Sequence, residues 1–81
     1  MIEQDKEFFC QVCLVVLMQN GGGILTKSPK YIKEKATFLR LIDPLAAWQE
    51  LNYANRALLL TWADSWNVPM RDWIKEIGGE I

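Results

Sequence analysis

Cys10 and Cys13 have the C-x-x-C spacing of residues that grip a metal or exchange a disulfide, so the search for chemistry starts with them. On a helix they fall on one flank, beside Leu14 and Leu17. A tetrahedral zinc site needs four ligands, and a chain with 2 Cys and 0 His supplies two, so a Cys₄ centre would require two chains. A thioredoxin-type centre needs a strand ahead of the first Cys, and no period-two run precedes Cys10. Both thiols are therefore expected to act as small buried hydrophobes. Neither a metal nor a cofactor is expected.

A second motif lies at residues 21–28, where G-G-G-I-L-T-K-S approaches the phosphate-cradling G-x-x-x-x-G-K-[ST] pattern. Thr26 replaces the glycine that lets the backbone wrap a phosphate, and Pro29 removes an amide donor from the helix start. The preceding segment has the period of a helix, not of a buried strand. These glycines read as a helix stop and a hinge. Catalysis has little else to draw on: there is no imidazole, and Ser28 and Ser65 have no general base at a suitable spacing. The carboxylate pairs Glu3/Glu7 and Asp72/Glu76 fall on polar helical faces, where solvated charge is expected. The chain is expected not to be an enzyme.

Charge is segregated although the formal net value is −1. Residues 24–42 carry an excess of four positive charges, and the segments on either side are acidic. Lys27, Lys30, Lys33 and Arg40 form a basic stripe that could meet phosphates. A solvated helix face, or pairing with the chain's own carboxylates, explains the same pattern. A nucleic-acid-associated regulator using the helix at 27–40 is accordingly the alternative function.

At about 100° per residue the apolar positions fall into four or five helical segments. The first is expected over residues 3–19, ended by Asn20 and the glycines that follow. Its first half has a polar stripe of Glu3, Gln4, Glu7 and Gln11, but Leu14 and Met18 then occupy the line of that stripe. A helix apolar all round must be surrounded, which places it at the centre of the fold or at an oligomer interface. Ser28-Pro29, Asp43-Pro44 and Asn52 each supply a capping side chain for a following helix. The second helix is expected to reach Ile42, and the fourth to run to Trp66 with Leu51, Ala54, Leu58, Leu59, Trp62 and Trp66 on its buried face. Leu60 is expected to project from the other side. After the break at Asn67-Val68-Pro69, Met70, Trp73, Ile74 and Ile77 recur at helical spacing until Gly78.

The reading is thus a single all-α domain over residues 1–81, a compact bundle of four to five short helices. A mass of 9.4 kDa implies about 5,000 Å² of folded surface, a marginal interior for 51% hydrophobic residues. Self-association, as a homo-oligomer, is the expected remedy. No apolar stretch approaches the ~20 residues of a membrane span, and the acidic start is unlike a secretory leader, so a cytoplasmic location is expected. The leading function is a small non-enzymatic interaction or adaptor protein that meets a protein partner through an apolar, Trp-containing surface. Leu14, Met18, Leu60, Trp66 and Trp73 are its candidate contacts.

Overall fold

The computed structural model describes residues 1–18, 22–35 and 43–81. Five α-helices occur among them: α1 (Glu3–Met18), α2 (Pro29–Lys35), α3 (Pro44–Gln49), α4 (Tyr53–Ser65) and α5 (Met70–Glu76). A 3₁₀ turn at Gly22–Thr26 leads into α2, and there is no strand among the described residues. The bundle is all-α. The expected end of the first helix beyond Met18, and the second half of the expected second helix with Arg40, lie outside the described residues.

The starts of α2, α3 and α4 each follow from a side chain that replaces a missing backbone partner. The Ser28 hydroxyl accepts from the Tyr31 amide at 3.1 Å, the Asp43 carboxylate from Ala46 at 3.2 Å, and the Asn52 side-chain carbonyl from Asn55 at 2.8 Å. Pro29 and Pro44 occupy first-turn positions where no N–H is needed. Two helix ends share another device. At the end of α4, Asn67 adopts φ +57°, Val68 N–H donates to the Ala63 carbonyl at 2.9 Å, and Asn67 N–H donates to Asp64 at 3.4 Å. At the end of α5, Gly78 adopts φ +81°, Gly79 N–H donates to Ile74 at 2.9 Å, and Gly78 N–H donates to Lys75 at 3.2 Å. Both are Schellman motifs, and they reverse the chain where helical carbonyls would otherwise be left unpaired.

Helix α1 is the centre of the bundle. It packs against α2, α3, α4 and the 3₁₀ turn, and Phe8, Phe9, Cys10, Val12, Cys13, Val15 and Val16 are all buried along it. Along its second half Val12, Cys13, Val15 and Val16 are buried by the chain itself, Leu14 and Leu17 are half-buried, and Met18 is exposed. Phe8 and Phe9 gather three indoles: Trp62 lies 6.3 Å from Phe8, Trp48 lies 6.3 Å from Phe9, and Trp73 stands edge-on to both at 6.3 and 6.5 Å. Tilted and edge-to-face pairs of this kind add about 0.5–1.5 kcal/mol each beyond area burial.

The two fully buried indoles need a partner for their N–H groups, and each finds a distant main-chain carbonyl. Trp62 Nε1–H donates to the Lys27 carbonyl at 2.5 Å, and Trp48 Nε1–H donates to the Glu80 carbonyl at 2.7 Å. The first bond fixes α4 to the turn before α2, and the second closes the residues after α5 over α3. No polar or charged residue is buried among the described residues.

The total accessible surface is 4907 Å², against about 5,000 Å² for a monomer of this mass. The buried face of α4 differs from expectation. Leu59, Leu60, Trp62 and Ala63 are buried, whereas Ala54 and Trp66 are exposed. Contacts with α1, α5 and the 3₁₀ turn cover more of α4 than one stripe.

The two glycines after α5 should respond differently to alanine. A Cβ at Gly79 would stand 2.9 Å from Trp48 Cδ1 and 3.1 Å from Ile74 Cγ2, whereas one at Gly78 meets nothing within 4 Å. Gly79→Ala should cost about 1–3 kcal/mol through overpacking. Gly78→Ala should cost about 1–2 kcal/mol through its left-handed backbone alone, and Gly78→Asn should recover part of that. Urea unfolding of the three variants checks the order.

Candidate interaction surface

The surface is assembled where α1, the 3₁₀ turn and α4 come together. The Trp62 bond to Lys27 holds the last turns of α4 against the segment that follows the 3₁₀ turn. Within that turn Ile24 is fully buried and Leu25, the next residue, is 45% exposed. One helical turn beyond Trp62, Trp66 caps α4 with its N–H on the Trp62 and Ala63 carbonyls and remains 47% exposed. Met18, the last residue of α1, is 60% exposed. Three large apolar side chains thus face water on elements that meet at one junction.

The five residues singled out from the sequence divide. Met18 and Trp66 are exposed, and Leu14 is half-buried. Leu60 is only 7% exposed, which corrects the expectation that it projects outward: α4 is covered on more than one side, and Leu60 belongs to the core. Trp73 is half-buried and edge-on to Phe8 and Phe9, so most of its area is committed inside. Leu25 was missed because a 3₁₀ turn of five residues gives no helical periodicity. Its one signal is position, directly after an inward Ile.

The basic stripe is partly drawn back onto the protein. Lys27 places its ammonium 4.6 Å from the Tyr31 ring centre, and Lys33 lies 5.0 Å from that of Phe8. Lys33 also lines a groove of about 410 Å³ with Asp5, Glu7, Gln4 and Gln11 of α1. Its setting is the acidic start of α1, whereas Lys30 is exposed. The glycine-rich segment forms a 3₁₀ turn, with Lys27 N–H donating to Ile24 at 2.9 Å.

Cys10 and Cys13 lie inside the protein, each buried on α1. Burial pushes the Cys13 thiol well above the ordinary thiol range, and the adjacent Cys10 adds to the shift. Metal ligation and thiol exchange both require the thiolate, which this setting disfavours. On α4 and α5, Arg71 Nη2 meets Asp64 Oδ2 at 2.9 Å; the bond holds the Asp64 carboxyl below its usual value and raises Arg71. That pair is exposed and spans the corner at Asn67–Pro69. No protein-family model, curated protein or solved structure matches this chain.

Two measurements test this partition. Trp66→Ala should cost about 1–2 kcal/mol, for the half of the ring that is covered, whereas Trp73→Ala should cost about 3–5 kcal/mol. The raised Cys13 value sets the second. The folded state keeps its proton above pH 9, where the unfolded chain loses it, so this contribution is complete below that pH and declines above it. Stability should fall by about 1.4 kcal/mol per pH unit above that point, and Cys13→Ala should flatten the decline in chemical denaturation at pH 8 and pH 10.

Proposed function

We propose that this protein is a small non-enzymatic interaction module whose contact face is formed by Trp66, Leu25 and Met18. The observation that carries the reading is the contrast along α4: Trp62 is sealed and hydrogen-bonded, while Trp66, one turn later, is half in water. A rigid indole held at a helix cap loses little freedom on binding, and Trp is the residue most enriched at binding hot spots. A second copy of the chain is the first partner to test. The face takes in the end of α1, where Met18 leaves the cover that most of the helix receives.

The basic stripe supports the nucleic-acid reading less well, since Lys27 and Lys33 are turned toward rings of the protein itself. Mobility shifts that weaken with salt and disappear in Lys30→Glu would favour it instead.

The test compares wild type with a Trp66→Ser/Leu25→Ser variant by light scattering over a range of concentrations. Self-association in wild type, reduced at least about tenfold in the variant, supports this face as the interface. Wild type and variant that self-associate equally would overturn it. Should both be monomeric, pull-downs from the native source decide: a protein retained by wild type and lost by the variant supports the reading, and identical retention removes it.

A further inference from the structure

Away from the Trp66 face, Arg56 of α4 is held in an unusual setting. Its guanidinium carbon lies 5.1 Å from the Trp48 ring centre and 5.7 Å from that of Tyr53, whose side chain is 82% exposed. The Arg56 Nε is fully buried and has no hydrogen-bond partner. The side chain opens on a cavity of about 270 Å³, also lined by Gln49, Gly78, Gly79 and Glu80. That volume admits a carboxylate with several waters, at ~30 Å³ for each water.

Charge and geometry point to one ligand chemistry. Cation–π contact with Trp48 orients the guanidinium before any ligand arrives, so less side-chain freedom is lost on binding. Its donors radiate in the plane of the group, and with Nε enclosed the terminal amino groups are the ones that face the cavity. A planar carboxylate matches that fork. Glu80 bears on the charge that can enter. Its backbone is pinned at the rim by the Trp48 indole bond, so its carboxylate is a tethered negative neighbour. A single negative charge meets less repulsion from it than a phosphate dianion would.

We propose that the cavity between Trp48, Arg56 and the Gly78–Glu80 segment is a carboxylate-binding site, with Arg56 as receptor and Glu80 as the like charge at its rim. The carboxylate comes either from a small free acid or from an acidic side chain of a peptide segment. Two probes separate these sources: sodium acetate, and an end-blocked Gly-Gly-Glu-Gly peptide. The readout is the NMR signal of the Trp48 indole N–H and of the Arg56 Nε–H, at ionic strength matched with sodium chloride.

Both signals should move saturably, with a dissociation constant of the order of 1 mM. Glu80→Gln should tighten binding about threefold by removing a like charge at the rim, and Arg56→Met should abolish it while the Trp48 signal stays native. Tighter binding of the peptide assigns the site to an acidic protein segment, and equal binding assigns it to free carboxylates. Should Arg56→Met fail to fold, Arg56→Lys keeps the charge, removes the fork and should weaken binding several-fold. A linear drift equal to that with chloride, or an unchanged titration in the Arg56 variant, would overturn the proposal.

Discussion

Phe8 and Phe9 sit side by side on α1, and three of the four tryptophans come to them from α3, α4 and α5. Removing either ring would leave voids against two indoles at once, and in a domain this small no second core is available to absorb them. The constraint reaches outward from there. Indoles large enough to fill the space around α1 carry an N–H that must be satisfied where water is absent. The lengths of the connections are then set by the need to bring the Lys27 and Glu80 carbonyls to Trp62 and Trp48.

This arrangement accounts for how an apolar first helix is buried within one chain along most of its length. High apolar content in a small domain has two remedies, association or a wide wrap of the chain around one helix. Here α2, α3, α4 and the 3₁₀ turn supply the wrap. Trp66 and Leu25 are large side chains adjacent to buried neighbours of the same chemistry, placed outward by a helix cap and by a tight turn.

Local grammar was legible in the residues, and three-dimensional coverage was not. Ser28, Asp43 and Asn52 cap helices as their side-chain chemistry requires, and the Asn67 and Gly78 stops follow from their tolerance of a left-handed backbone. All-round apolarity left α1 two settings, the centre of the fold or an oligomer interface, and within the single chain it takes the first. The side assignment on α4 failed because a helical wheel assumes one buried stripe, and a helix with several neighbours has a wider buried arc. Leu60 went inside and Ala54 outside for that reason. Arg56 carried no sequence signal, since its setting depends on a ring eight residues earlier and on a strap more than twenty residues later.

The two indole bonds have a consequence for how the chain tolerates change. Each ends on a main-chain carbonyl, so the fold asks for a tryptophan at 48 and 62 but for no particular side chain at 27 or 80. Lys27 and Glu80 are anchored in position while their chemistry is left open. Across descendants of this sequence, both sites can gain, lose or invert charge without moving the backbone that holds them. They are fixed mounting points on which surface properties can drift or be selected independently of stability.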